Sequence, residues 1–168
     1  MNPTPAQVKN IIRRGLRWLV DPELRKPDKQ RIKEYFKNRC AFCNISIEVG
    51  NGDIDHLISA AKGGSNGLAN RVLSCKPCNV AKTDQEWTEF LKVKARSPKL
   101  FSNREKKIKN WIEQNGGHPT LAPVLASLID IESCRVIKAY EGACEKIRKA
   151  KKVTLKMDAD ISSGSPQL

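Results

Sequence analysis

The sequence predicts an α+β protein in which a small metal-braced ββα core at residues 40–83 is flanked by mainly α-helical extensions. Two C-x-x-C pairs, Cys40/Cys43 and Cys75/Cys78, bracket a stretch of short β-branched runs and glycine turns. Outside that stretch apolar residues recur at the spacing of one helix face. A chain of 168 residues with 39% hydrophobic and 5% aromatic side chains suffices for one compact unit with a modest core, which a structural metal would supplement.

Residues 1–39 form a basic helical extension. Val8, Ile11, Ile12, Leu16 and Leu19 keep helical spacing over residues 6–20, with Lys9, Arg13, Arg14 and Arg17 largely on another face. Asp21-Pro22 ends that helix, and Pro27-Asp28 opens a second to about residue 38, with Ile32, Tyr35 and Phe36 facing inward. Within 40–83, a C-x-x-C turn leads to a short strand through Ile45 and Ile47, closed by Gly50-Asn51-Gly52. Further strands are expected at 54–57 and 71–73, separated by a small-residue loop, and a helix starts at Cys75.

Residues 84–157 read as helical. Trp87, Phe90 and Leu91 mark one helix, which Ser97-Pro98 ends; a second runs over 103–114. The longest spans about 123–152, with Leu125, Leu128, Val136, Tyr140, Cys144 and Ile147 as its inner stripe, and 158–168 reads as a disordered tail. Trp18, Trp87 and Trp111 are expected as core anchors. Cys134 and Cys144, ten residues apart on one helix, are about 15 Å apart in rise, too far to bridge, and are expected to pack as small apolar groups. His118, in a Gly-Gly-His-Pro turn, is assigned no role.

Thirty-one Lys and Arg against eighteen Asp and Glu give a net +13, which favours an anionic polymer as partner. The charge lies on the flanks. Residues 1–39 carry +7, residues 84–168 carry +5, and residues 40–83 only +1. Arg13, Arg14, Arg17, Lys106 and Lys107 are the candidate phosphate contacts. No run approaches the roughly 18 apolar residues of a membrane span, and no apolar signal core precedes the arginines, so a soluble protein of the reducing cytoplasm, without membrane contact, is expected.

In such a compartment the paired cysteines point to metal rather than disulfides. Two C-x-x-C turns supply the four-sulfur tetrahedral shell that suits Zn²⁺, and a closed shell makes the zinc structural. A redox role needs only one pair and a βαβ setting.

Between the pairs lie Asp55-His56 and Asn70, and Asn79 directly follows Cys78. Asn70 lies fourteen positions after His56, and Asn79 nine positions after Asn70. The succession C-x-x-C, D-H, glycine-bearing loop, N, C-x-x-C-N, x-x-K over residues 40–82 resembles the HNH endonuclease family, in a four-cysteine form with asparagine at the third motif position. That position is often histidine in the family, and a proline often follows D-H where this chain reads Leu57-Ile58-Ser59.

His56, with a pKa near neutral, can take a proton from water, and the resemblance makes it the general base. Strand alternation puts Asp55 on the face opposite His56; the resemblance implies a bend that brings both to one phosphate. Asp55 and the Asn79 amide oxygen would then hold a divalent cation, Mg²⁺ or Mn²⁺. Asn70 would orient the loop and the histidine, and Lys82, one turn beyond Asn79, would contact a phosphate. The function implied is hydrolysis of phosphodiester bonds in double-stranded DNA, in restriction, phage or mobile-element biology of a bacterial, archaeal or phage-infected cell. The alternative is a non-catalytic zinc-dependent nucleic-acid-binding protein. The long C-terminal helix is a candidate either for homodimerisation or for internal packing.

Overall fold

The computed structural model describes residues 3–48 and 50–163, with side chains through 156. It has α1 (Pro5–Trp18), α2 (Lys26–Tyr35), β1 (Asp53–His56), β2 (Arg71–Ser74), α3 (Lys76–Lys82), α4 (Trp87–Ala95), α5 (Pro98–Gln114) and α6 (Pro123–Ser163). The mixed α+β class is as expected. The chain divides into two units, Arg17–Ala126 and Met1–Leu16 with Ser127–Leu168.

In the larger unit, β1 and β2 pair antiparallel, with Asp53 opposite Ser74, Asp55 opposite Val72 and His56 opposite Arg71. Pro27 suits the first turn of α2, where its missing N–H costs nothing, and the Asp28 carboxylate accepts from the Arg25 N–H at 3.2 Å. The helix stops where Lys37 and Asn38 take positive φ, and the chain turns into Cys40. Ile32 of α2 and Phe36 just after it are buried with Phe42, Leu57, Val72, Leu73, Leu91, Ile108 and Trp111.

Trp111 ties this core together. Its indole N–H is shared between the carbonyls of Leu68 and Arg71, 2.8 Å from each, while the Tyr35 and Phe36 rings lie 4.7 and 6.0 Å away. One α5 side chain thus locks α2 to the start of β2, and truncating a buried indole typically costs about 3–5 kcal/mol.

Three expectations about elements are corrected. The strand through Ile45 and Ile47 is reduced to a single bridge between Arg39 and Ser46. Asn44, at φ 64°, reverses the chain, Cys40 donates to the Ile45 carbonyl and Ile47 to that of Asn38, so these residues are spent on a tight loop. Helix α5 begins at Pro98 rather than 103, because Ser97 caps it, its hydroxyl accepting from the Leu100 N–H, and Pro98 fits the first turn. Helix α6 runs past the expected end at 152 to Ser163, since no glycine or proline falls between Lys152 and Gly164. Residues 164–168 of the expected tail, and Val49, lie outside the described residues.

In the smaller unit, Lys9 and Glu141 form an ion pair and Arg13 and Arg14 are exposed. Among the described side chains of α6 the buried ones are Ser133 and Ile137, not the expected stripe: Leu128, Val136 and Ile147 are exposed, because the apolar residues are spread around the helix. Cys134 is exposed rather than packed and Cys144 is half-buried. Trp87 and Trp111 are buried, whereas Trp18 is 62% exposed at the end of α1, where Asp21 takes the inward position. Among the described residues no helix is long and apolar enough to cross a membrane.

Candidate functional site

The four sulfurs come from two short segments. Cys40 and Cys43 lie in the loop after α2, and Cys75 and Cys78 flank the first turn of α3; the Ala41 N–H donates to the Leu73 carbonyl at 2.8 Å and holds the segments together. All four Sγ atoms lie within 4.8 Å of one another, with Cys43 and Cys75 3.6 Å apart. Sulfurs 2.3 Å from a tetrahedral ion would be about 3.8 Å apart, so the spacing fits a metal. At Cys40 burial acts upward on the pKa, but the backbone N–H groups of Cys43, Cys75 and Phe42 outweigh it and the net shift is down. Burial and the neighbouring Cys40 push the Cys78 thiol far above its ordinary range. Four thiolates at this spacing need a cation among them, and the donor set suits a soft divalent one.

Strand alternation divides β1 into two faces. Asp53 and Asp55 turn toward α3. Asn79 donates its amide N–H to Asp53 Oδ2 at 3.0 Å, and Lys82 Nζ lies 3.6 Å from Asp55 Oδ2. With Asn79 Nδ2 so used, Oδ1 is the atom left to bind a cation. Asp55 Oδ2 is buried without a hydrogen bond, an orphaned anionic oxygen that fits a hard cation. Burial holds the Asp55 carboxyl above its ordinary range, although the Lys82 charge opposes this.

His56 occupies the other face. Its Nε2 lies 3.1 Å from Asn66 Oδ1, which also accepts from Arg71 Nη2 at 2.8 Å. Burial, and next the Arg71 charge, lower the His56 pKa. Asn70 is fully buried. Its side chain accepts from the Ile58 N–H and donates to the carbonyls of Ile58 and Ser65, each at 2.8 Å, so one amide pins both sides of the loop that follows His56. The ladder is regular through His56, so Asp55 and His56 stand on alternate faces.

The expected phosphate contacts separate into two groups. Arg13, Arg14 and Lys106 are exposed. Lys82 is 1% exposed and held against Asp55, Arg17 is spent on Asp21 and the Gly64 carbonyl, and Lys107 lies over the Tyr35 and Phe36 rings. Sequence reasoning missed Asp53, although strand period places it on the face of Asp55. It also missed Lys29 and Lys33 of α2, which line a cleft with Asp53, Arg71 and Asn79. Their four-residue spacing was a signal; Asn66, held by Asp21 from 45 residues away, gave none.

A ββα unit with four clustered cysteines and the D-H…N…N set defines a class, and the comparison with known families agrees: residues 40–92 match the family model described as HNH endonuclease. The chain is also 30% identical, over 100 residues, to the "SPbeta prophage-derived putative HNH endonuclease YoqL" of Bacillus subtilis (strain 168). That alignment covers 51% of this chain and 40% of the relative's length. No solved structure matches the chain. Both matches support a nuclease.

Proposed function

We propose that the chain is a metal-dependent endonuclease that hydrolyses phosphodiester bonds in double-stranded DNA, as part of a restriction, phage or mobile-element system. The observation that carries this reading is the joining of the family match to a partly buried histidine with a lowered pKa and, at the preceding position of β1, a carboxylate oxygen buried without a hydrogen bond. His56 takes a proton from the attacking water, and its lowered pKa keeps the imidazole neutral and ready to do so near pH 7. Asp55 and Asn79 would hold Mg²⁺ or Mn²⁺, which when bound supplies positive charge to the phosphate and the leaving oxygen. Asn70 positions His56 by fixing the loop that follows it. Lys82 keeps Asp55 ionised rather than gripping DNA.

Cys40, Cys43, Cys75 and Cys78 would hold Zn²⁺, whose task is to fasten the start of α3 to the loop after α2. DNA is drawn by the exposed cations of the flanks, Arg13, Arg14 and Lys106, and by Lys29 and Lys33 at the cleft. The test is relaxation of supercoiled plasmid by the full chain with Mg²⁺ or Mn²⁺ and with an EDTA control. Metal-dependent nicking is expected; DNA retention without any strand break, in either metal, favours the non-catalytic zinc-dependent binding protein instead.

A further inference from the structure

The atom of His56 that carries the base function is fixed by a chain of hydrogen bonds reaching back to the end of α1. Asn66 is held at both ends. Its backbone N–H donates to Asp21 Oδ1 at 2.7 Å and its Nδ2 to the Asp21 carbonyl at 2.8 Å. Asp21 is itself fixed by Arg17, whose Nη2 lies 2.8 Å from its Oδ2. On the other side, Arg71 Nη2 donates to Asn66 Oδ1 at 2.8 Å and to Glu23 Oε2 at 3.1 Å.

These partners remove the usual ambiguity of an asparagine amide. A guanidinium only donates and a carbonyl only accepts, so Oδ1 must face Arg71 and Nδ2 must face the Asp21 carbonyl. The atom turned to His56 Nε2, 3.1 Å away, is therefore an acceptor. A neutral imidazole answers an acceptor only with its N–H. The proton sits on Nε2, and the lone pair is left on Nδ1.

We infer that Asn66, clamped by Asp21 and Arg71, is a positioning residue that holds His56 in the Nε2–H tautomer and makes Nδ1 the atom that accepts the proton from water. The nucleophile is then approached from the Nδ1 side of the ring, while the Nε2 side is closed by the clamp. The inference about Nδ1 as base rests on the nuclease reading; the tautomer does not.

The test uses the zinc-loaded full chain labelled with ¹⁵N at histidine, at a pH where the imidazole is neutral. Two-bond ¹H–¹⁵N correlation spectra distinguish the protonated from the bare ring nitrogen, and His56→Ala identifies which of the two histidines is observed. The expected wild-type pattern has the proton on Nε2; a proton on Nδ1 overturns the inference with no variant needed. Asn66→Ala should give a mixture of tautomers and lower plasmid-nicking kcat by about ten- to a hundred-fold with KM unchanged. Asn66→Asp, which keeps an acceptor toward His56 and Arg71, should restore the Nε2–H pattern. Unchanged tautomer and kcat in Asn66→Ala also overturn it. An Nε2–H pattern in a protein that never nicks DNA would refute the nuclease reading and leave the clamp standing.

Discussion

The Lys82 ammonium lies 3.6 Å from the Asp55 carboxylate, with the lysine side chain 1% and the aspartate 12% exposed. Two opposite charges this far out of water depend on each other, because removing one leaves the other buried and uncompensated. Lys82→Met should destabilise the larger unit by about 3 kcal/mol or more, and Asp55→Asn with Lys82→Met should recover most of that loss. Urea unfolding of the two singles and the double measures the coupling. Additive losses would mean that the pair does not interact.

Removing the metal from the cysteine cluster should unfold the region rather than slow it. Replacing Cys40 or Cys75 with serine, or treating with a strong chelator, is expected to abolish the cooperative melt and the bound zinc together. A Cys75→Ser protein that holds no zinc yet melts at the wild-type temperature would show that the four sulfurs do not brace the fold.

Gly64 is required by space. A Cβ there would lie 1.8 Å from the Ile58 carbonyl oxygen and 2.6 Å from Asn70 Nδ2, the contacts that pin the loop after His56. Gly64→Ala should cost about 2 kcal/mol or more and reduce nicking, whereas Gly67→Ala, which meets only the Ser65 hydroxyl at 3.4 Å, should be mild. Thermal melts of the two variants compare them directly.

The pH dependence of cleavage follows from the His56 environment. The base is the neutral imidazole, so the rate falls as pH drops through its pKa. Burial and the Arg71 charge place that pKa below the ordinary 6.5. The acid limb of kcat/KM should therefore be centred below 6.5, and a limb centred above it would contradict the assignment.

Much of this site was legible in the sequence because its spacing is local. The C-x-x-C turns, the period of β1 and the short α3 convert sequence intervals directly into positions, which is why the cysteines cluster and Asn70 reaches the loop backbone. What escaped depends on contacts between distant segments. Lys82 reads as a phosphate contact until α3 is laid on Asp55, and Arg17 reads as another until Asp21 and Gly64 take its donors. Lys107 is covered because α2 brings Tyr35 and Phe36 beneath it. The missing strand at Ile45 has another cause: β-branched residues favour extended backbone, but a chain reversed at Asn44 had no length left to pair. In α6, apolar content was mistaken for an apolar face.

The most direct measurement is the nicking rate of His56→Ala against wild type on supercoiled plasmid with Mg²⁺ or Mn²⁺, both proteins shown to carry zinc and to melt alike. A fall in kcat of about a hundred-fold or more, with DNA retention unchanged, is expected if His56 is the base. Equal activity of the two proteins, or equal inertness in either metal, would contradict it.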